Sequence, residues 1–317
     1  MKAVFLDFDT MGGGLDLSPI ENVTPDLKVY DVTGKEQVKE RIRDAEIVFT
    51  NKIKLNESLL ASATRLKYIG LTATGTDNID LESARQHGIA VANIRNYCTE
   101  SVVEHVFGVL LMLAHSLPSF RKTVRNGDWQ SATDPFLLTH PVRELSAMTL
   151  GIVGYGALGQ GVANIGRAFG MDVIVSARPG SPETSDGRVS FDDLLTQADV
   201  ISLHCPLSDE TRNLFGAEEF QRMKSSAILI NTARGGLIDS AALAAALRTG
   251  DIAAAAVDVL PNEPPVDGDP LLDYEGDNLI VTPHVAWATN EARQNAIDEL
   301  AANAGAFIEG KDRNRVV

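Results

Sequence analysis

The stretch TLGIVGYGALG, residues 149–159, decides the fold of this chain. An apolar run typical of a buried strand leads directly into Gly154, Gly156 and Gly159, spaced G-x-G-x-x-G, and a helical pattern follows. In that setting the first glycine permits a tight turn, the second lets the backbone approach a pyrophosphate, and the third lets helix and strand pack closely. The helix N-terminus then faces the phosphates. A glycine-rich turn without a ligand is the alternative, but three glycines weaken a helix start unless something must approach closely.

Downstream of this stretch, short β-rich runs alternate with helical runs, which indicates βαβ units and a parallel sheet. Helices are predicted over Ala157–Phe169 and Ser240–Thr249, and Gly250 ends the second. Six strands with five crossovers make a complete dinucleotide-binding domain. The strands are predicted at Thr149–Val153, Asp172–Ser176, Val200–Leu203, Ala227–Asn231, Ala254–Asp258 and Leu279–Val281.

Upstream, a second series shows the same alternation. Helices are predicted at Lys35–Arg43 and Leu81–His87, and an apolar helix at about Thr99–Ser116 joins the two series. The upstream strands are predicted at Val4–Asp7, Ile47–Thr50, Tyr68–Leu71 and Ile89–Ala92.

The last helical segment, Asn290–Glu309, has no strand after it, so we expect it to return to the first series. The predicted fold is α/β, with two Rossmann-like or flavodoxin-like domains whose parallel sheets are flanked by helices. Residues 1–97 and 286–317 would form a substrate domain, and residues 98–285 the dinucleotide-binding domain. Because open parallel sheets bind ligands beyond the carboxyl ends of their strands, the active site is expected in the cleft between the domains.

Composition narrows the class of function. The 317 residues carry a net charge of −15, which repels phosphate backbones and anionic lipid, so we expect neither nucleic acid nor a membrane as partner. The two cysteines, Cys98 and Cys205, indicate reduced thiols rather than a disulfide framework. Asp7 and Asp9 interrupt the first apolar run, so no signal peptide is expected and a cytoplasmic location is favoured. The histidines show no metal-ligand spacing, and no metal is expected.

The end of the second strand of the dinucleotide domain bears on the choice of cofactor. A site that selects NAD usually has an acidic residue there, which binds the ribose 2′-OH. Ser176, Ala177 and Arg178 stand in its place. A carboxylate would repel a 2′-phosphate, whereas Ser176 and Arg178 are suited to bind one, so NADP(H) is favoured over NAD(H). An Arg178 that points to solvent would instead leave the site open to both cofactors.

Three polar residues, Arg234, Glu263 and His284, each follow a different predicted strand of that domain. Reduction of a keto acid needs a proton donor for the carbonyl oxygen, and histidine titrates near the working pH. A paired glutamate favours the charged imidazole and fixes its orientation, while arginine offers a planar fork of donors for a carboxylate. Each residue alone is more often structural or on the surface. Three strand ends behind a dinucleotide turn instead point to an active site.

These and other motifs resemble the D-isomer-specific 2-hydroxyacid dehydrogenase family over essentially the whole chain. The family resemblance implies that Arg234, Glu263 and His284 are catalytic, that His284 is the acid/base, and that the hydroxy acid has the D configuration. The motifs are LTATGTDN at 71–78, GYGALG at 154–159, HCPL at 204–207, NTARGG at 231–236 and TPH at 282–284.

The resemblance also implies the binding positions. The N–H groups of Thr74 and Gly75, next to Ala73, would hold the substrate carboxylate, and a glycine turn after a strand offers unpaired donors for this. Asp258 would face the nicotinamide amide. Taken together, the glycine turn, the residues after the second strand and the positions implied by the resemblance give the predicted cofactor-binding residues: Gly154, Tyr155, Gly156, Ala157, Leu158, Gly159, Ser176, Ala177, Arg178, His204, Cys205, Pro206, Thr211, Thr232, Ala233, Asp258, His284 and Ala286.

Residues 97–99 and 284–287 are similar to the glycerate dehydrogenase/hydroxypyruvate reductase group, so hydroxypyruvate and glyoxylate are the favoured substrates, with D-glycerate and glycolate as products. Trp287 is either a wall near the substrate side chain, which would favour small substrates, or a packing residue at a helix start. The sequence is compatible with both interpretations of Trp287.

The region 118–145 departs from the βαβ alternation and carries three aromatic residues, Phe120, Trp129 and Phe136. They suit the interface of a homodimer formed through the cofactor domain, the usual assembly of the family. An internal satellite core is the alternative.

Two other functions stay open. Oxidation of D-3-phosphoglycerate would need additional cations near the cleft, for which Lys52 and Arg95 are candidates. A dinucleotide-sensing, corepressor-like binding protein on the same scaffold would want partner-binding extensions, and the sequence shows no basic or disordered tail.

Overall fold

A computed structural model describes residues 1–178 and 187–317. The strands in the described residues are β1 (Lys2–Phe5), β2 (Asp26–Val29), β3 (Ile47–Thr50), β4 (Tyr68–Leu71), β5 (Ala90–Ala92), β6 (Thr149–Val153), β7 (Asp172–Val175), β8 (Val200–Leu203), β9 (Ile228–Asn231), β10 (Ala254–Val257) and β11 (Leu279–Val281). The helices are α1 (Ser18–Val23), α2 (Lys35–Ile42), α3 (Glu57–Ser62), α4 (Leu81–Gln86), α5 (Thr99–Ala114), α6 (Leu117–Arg125), α7 (Ala157–Ala168), α8 (Phe191–Gln197), α9 (Ala217–Arg222), α10 (Ser240–Thr249) and α11 (Asn290–Ile308).

The first compact unit consists of Met1–Cys98 and Ala288–Val317. Its five strands are parallel and lie in the order β2-β1-β3-β4-β5, which is the doubly wound order of flavodoxin-like folds. β3 and β4 are buried along their whole length, as expected of central parallel strands covered on both faces. Helix α11 belongs to this unit and packs on β4, where the rings of Phe307 and Tyr68 stack at 4.7 Å.

The sequence predicts four strands for this sheet, and that number is wrong by one. The missed strand, β2, pairs on one side only, with β1, and its residues are exposed or half-buried. An edge strand in that position needs no apolar run, so periodicity did not reveal it. The four predicted strands lie within two residues of the observed ones.

The second compact unit is Thr99–Trp287. Its six strands are parallel in the order β11-β10-β9-β8-β6-β7, and each lies within one residue of its predicted position. A parallel bridge between Ser176 and Val189 adds one more position beyond β7. With that position counted, the sheet has the doubly wound order 3-2-1-4-5-6 of a dinucleotide-binding domain, and β11 is added at the far edge. The domain boundaries predicted from sequence, after residues 97 and 285, precede the observed junctions by one and two residues.

Helix α5 opens the second unit and packs on α7. Close approach requires Gly161, because a Cβ there would lie 2.8 Å from Val103 Cγ2. Helix α5 ends at Ala114 rather than at the predicted Ser116, which has a left-handed φ of 49° in the turn before α6. No single helix in the described part of the chain is long and apolar enough to cross a membrane; α5 and α6 meet that test only together, across a 55° bend.

Candidate active site

Three neighbouring strands of the second unit, β9, β10 and β11, lead into the loops that carry the predicted catalytic residues. Arg234 follows β9, Glu263 lies in the loop after β10, and His284 follows β11. Because parallel strands end at one edge of a sheet, the fold gathers these three loops on the same side.

Glu263 and His284 contact each other directly. Glu263 Oε2 lies 2.6 Å from His284 Nδ1, which makes this a short hydrogen bond between a carboxylate and an imidazole. The other oxygen, Glu263 Oε1, accepts the backbone N–H of Leu260 at 2.9 Å, so the carboxylate is held in its own loop. The ring edge that carries Nε2 is therefore the part of His284 that can exchange a proton with a substrate.

Arg234 is positioned by its neighbours in the chain. The buried amide of Asn231 accepts the N–H of Ala233 at 3.0 Å and donates to the carbonyl of Arg234 at 2.9 Å. Gly235 then lets the loop approach the chain before Glu263, because a Cβ there would lie 2.0 Å from the carbonyl carbon of Leu260. The lack of a side chain at Gly235 thus allows the loops after β9 and β10 to contact each other.

Asp258, predicted to face the nicotinamide amide, comes directly after β10 and is 2% exposed. Its carboxylate accepts hydrogen bonds from the Thr282 hydroxyl and from the N–H groups of Val285 and Ala286. The structure therefore links Asp258 to the segment that carries His284. Its contact with a cofactor stays a prediction.

The glycine turn has the local geometry that its sequence predicts. Gly154 has a φ of 95°, and a Cβ there would lie 2.5 Å from the backbone N of Cys205. A Cβ on Gly159 would lie 2.1 Å from the carbonyl oxygen of Gly154. At Gly156, the N-cap of α7, a Cβ would have no atom of the described residues within 4 Å.

Two buried polar atoms on the same side of the sheet as this turn have no hydrogen-bond partner among the described residues: His204 Nδ1, whose backbone lies next to Gly154, and Thr232 Oγ1. They follow the adjacent strands β8 and β9. Burial lowers the pKa of His204 to about 4 and raises the pKa of the neighbouring Cys205 thiol. A neutral imidazole next to the glycine turn and an unsatisfied hydroxyl after the next strand fit a polar, uncharged part of a bound dinucleotide.

The three residues after β7 differ in how far their side chains are exposed and hydrogen-bonded. Ser176 is buried and its hydroxyl donates to the carbonyl of Ala177 at 2.6 Å, while Arg178 is exposed. Ala177 is also buried and donates its N–H to Val189. Of the three predicted residues, Arg178 alone has a side chain that solvent reaches freely.

Several other residues implied by the family resemblance make local bonds. The Thr211 hydroxyl donates to the carbonyl of Pro206 and accepts the N–H of Ser208, both at 2.8 Å. The carbonyl of Ala286 accepts the Ser101 hydroxyl at 2.6 Å. The indole N–H of Trp287 donates to the carbonyl of His284 at 3.0 Å, so Trp287 closes the turn around His284 and does not start helix α11.

In the first unit, the turn 73–75 follows β4. The side chain of Asn93 donates to the carbonyl of Thr74 at 2.6 Å, and the Thr74 hydroxyl donates to the carbonyl of Ile94 at 3.1 Å. Ala73 accepts the N–H of Ile94 at 3.2 Å. Within the described part of the chain, the N–H groups of Thr74 and Gly75 donate no hydrogen bond, as an anion-binding turn requires.

The sequence did not predict the structural role of one buried carboxylate in this unit, that of Asp7. Asp7 is 3% exposed and accepts the N–H groups of Asn51, Lys52 and Ile53 and the hydroxyl of Thr50. The same loop is linked to the next one, because the Asn78 amide donates to the carbonyls at 51 and 53. An aspartate just after an apolar strand was the available sequence clue.

Comparison with known proteins extends this picture. Residues 107–286 match the family described as D-isomer specific 2-hydroxyacid dehydrogenase, NAD binding domain. The chain is 44% identical to a glycerate dehydrogenase of Methylorubrum extorquens, over 99% of this chain and 98% of that protein. It is 37% identical to a hydroxypyruvate reductase of Blautia hydrogenotrophica, over 100% and 99%. An acyclic imino acid reductase, solved in complex with NADPH and D-Arg, superposes with a TM-score of 0.86 at 29% identity and 100% coverage of both chains.

Proposed function

The chain belongs to the D-isomer-specific 2-hydroxyacid dehydrogenase family and is an NAD(P)-dependent oxidoreductase, and from this premise we propose that it reduces hydroxypyruvate or glyoxylate to D-glycerate or glycolate. The observation that carries the proposal is the 2.6 Å contact between Glu263 Oε2 and His284 Nδ1, an oriented acid/base pair at the strand ends. One relative is named for glycerate and another for hydroxypyruvate, and both align over nearly their whole length, which supports this substrate class.

His284 delivers the proton in the proposed reaction. The glycine turn with His204 and Thr232 would hold a reduced nicotinamide cofactor, which would supply the hydride for the keto carbon. His284 donates its Nε2 proton to the carbonyl oxygen, which becomes the hydroxyl of the product. Glu263 keeps the ring oriented through Nδ1 and stabilises the imidazolium before it loses the proton.

The acid group of the substrate needs its own donors, because the protein carries a net charge of −15. We assign the N–H groups of Thr74 and Gly75, which donate no hydrogen bond among the described residues, to the substrate carboxylate, and Ala73 lies beside them. Arg234 supplies a guanidinium that binds the acid and polarises its keto group. Trp287 closes the turn at His284 and is assigned to the wall that favours a small substituent.

We also propose that NADP(H) is preferred over NAD(H). Support comes from the exposed Arg178 after β7 and from the lack of an acidic side chain at residues 176–178. Because the Ser176 hydroxyl is engaged with Ala177, Arg178 is the group assigned to the 2′-phosphate.

A homodimer through the cofactor domain is proposed as the assembly. Support comes from apolar side chains in the region 118–145 that solvent reaches, with Phe136 77% and Leu138 88% exposed. Trp129 is exposed as well. Phe120 instead packs edge-on against His140 of the same chain, with ring centroids 5.0 Å apart, and is not assigned to the interface. Sedimentation should give a dimer that Phe136→Ser with Leu138→Ser converts to monomer; a wild-type monomer at micromolar concentration would contradict the proposal.

The direct test of the activity is a keto-acid panel assayed by loss of reduced-cofactor absorbance. Hydroxypyruvate, glyoxylate, pyruvate and 3-phosphohydroxypyruvate are each offered with NADPH and with NADH. We expect hydroxypyruvate or glyoxylate with NADPH to have the highest kcat/KM, and the reverse reaction to accept D-glycerate but not L-glycerate. A higher kcat/KM for 3-phosphohydroxypyruvate would replace the proposed substrate.

A further inference from the structure

Behind His284, the buried carboxylate of Asp258 gathers the segment 282–286 around itself. Oδ1 accepts the Thr282 hydroxyl at 2.5 Å and the Val285 N–H at 2.9 Å, and Oδ2 accepts the Ala286 N–H at 2.8 Å. The backbone carbonyl of Asp258 also accepts the N–H of His284 at 2.8 Å. One residue therefore bonds the chain two residues before His284, at His284 and at the two residues after it.

This segment needs such support because His284 has a φ of 56°. A left-handed backbone is disfavoured for a residue with a Cβ, and it persists where the surrounding structure determines it. The two consecutive N–H groups at 285 and 286 point at one carboxylate, which fixes the course of the chain just after His284. The orientation of the imidazole thus depends on Asp258 as well as on Glu263.

A second side chain stands behind Thr282. His105, on helix α5, places Nε2 at 3.3 Å from Thr282 Oγ1 and 4.0 Å from Asp258 Oδ1. Since the Thr282 hydroxyl donates its hydrogen bond to Asp258 Oδ1, its oxygen is the acceptor for a hydrogen bond from the Nε2–H of His105. His105 consequently ties α5 to the strand-end loop that carries His284.

We propose that His105, Thr282 and Asp258 form a brace that sets the position of His284 for proton transfer. All three are positioning residues, since they act through the 282–286 segment. The role of the brace in turnover rests on the proposed function, whereas its hold on the segment is a property of the folded chain and is testable without any substrate.

Thr282 offers the sharpest variants. Thr282→Val keeps the shape and removes the hydroxyl that joins His105 to Asp258, while Thr282→Ser keeps that hydroxyl. We expect Thr282→Val to lower kcat about tenfold with KM changed less than about twofold, because misplacement of an acid lowers the rate of the chemical step. Thr282→Ser should recover most of the lost kcat.

Backbone hydrogen exchange provides the readout that is independent of activity. In Thr282→Val and in Asp258→Asn, amides 285 and 286 should exchange about tenfold faster than in wild type, while peptides from the rest of the chain keep their rates. Thr24→Val is the matched control: Thr24 is buried and its hydroxyl bonds the carbonyl of Ile20 in α1. This control should change neither kcat nor exchange at 285–286.

His105→Gln tests the remote member. It should show the same direction of change as Thr282→Val in kcat and in exchange at 285–286. Unchanged exchange at 285–286 in both Asp258→Asn and Thr282→Val would overturn the brace, and so would faster exchange spread evenly over all peptides. If wild type reduces no keto acid, the proposed function fails, and the exchange measurements still decide on the brace.

Discussion

The two units hold a strand-end loop by the same chemical device. In the first, Asp7 follows β1 and accepts three consecutive N–H groups, at 51–53, from the loop after the adjacent strand β3. In the second, Asp258 follows β10 and accepts two consecutive N–H groups from the loop after the adjacent strand β11. A threonine hydroxyl completes each set, from Thr50 and from Thr282.

The difference between the two loops lies in what they carry. The loop held by Asp7 has no residue with a left-handed backbone, whereas the loop held by Asp258 includes His284 at φ 56°. Only the second has a histidine from a distant helix, His105, behind its threonine. A buried aspartate after a parallel strand is therefore a general way to shape a loop, and its effect on chemistry depends on the residue that the loop presents.

Removal of the residue that the second loop presents should have the largest effect. His284→Ala should lower kcat about a thousandfold, because it deletes the general acid. Cofactor affinity, measured by fluorescence titration, should stay near the wild-type value. The exposed His87→Ala is the matched control and should keep full turnover. Rapid turnover by His284→Ala would remove His284 from the mechanism.

Removal of each aspartate should separate stability from chemistry. Asp7→Ala and Asp258→Ala each leave buried N–H groups unpaired, so both should lower the free energy of unfolding by about 2 kcal/mol or more. Asp258→Ala should in addition lower kcat by about a hundredfold, through misplacement of His284. Asp7→Ala should act on KM for the keto acid, since Asn78 joins its loop to the turn after β4. Equal losses of kcat in Asp7→Ala and Asp258→Ala would contradict a specific role of Asp258 in positioning His284.

A substitution outside both loops, at Arg178, should change the preference for the cofactor. Arg178→Ala should raise KM for NADPH about tenfold and leave KM for NADH nearly unchanged, because it removes a charged donor for the 2′-phosphate. Steady-state kinetics with both cofactors provide the measurement, and Arg188→Ala is the control for loss of an exposed positive charge. A clear preference of wild type for NADH would contradict the assigned role of Arg178.

The smallest expected effect is a pH dependence of stability caused by His204. This residue follows β8 and lies in neither of the loops held by Asp7 and Asp258. Its pKa is lowered by burial to about 4, so between about pH 6.5 and 4 the unfolded chain binds a proton that the folded chain does not. Stability should therefore fall as the pH is lowered through this window. His204→Asn should show a shallower fall in urea midpoints, and His87→Asn should keep the wild-type slope.

Much of this architecture could be predicted from sequence, because parallel strands and amphipathic helices leave strong periodic patterns. The six strands of the second sheet lie within one residue of prediction, whereas the edge strand β2 left no pattern. The chemistry of Arg234, Glu263 and His284 was predicted from their places after three strands. The pairing of Glu263 with His284 was predicted as well. The bond that holds Glu263 in place, from the N–H of Leu260, was not, since it depends on a loop conformation that no spacing encodes.

The sequence by itself determined the class of fold, the glycine turn and the family, because those depend on local periodicity and on short motifs. Only the tertiary structure decided which groups hold the active residues. Asp7 and Asp258 are ordinary acidic residues in the sequence, and His105 lies 177 positions before Thr282 in the chain. Their roles arise from hydrogen bonds across neighbouring strands and between a helix and a loop, and such bonds form only when the fold brings these distant residues together.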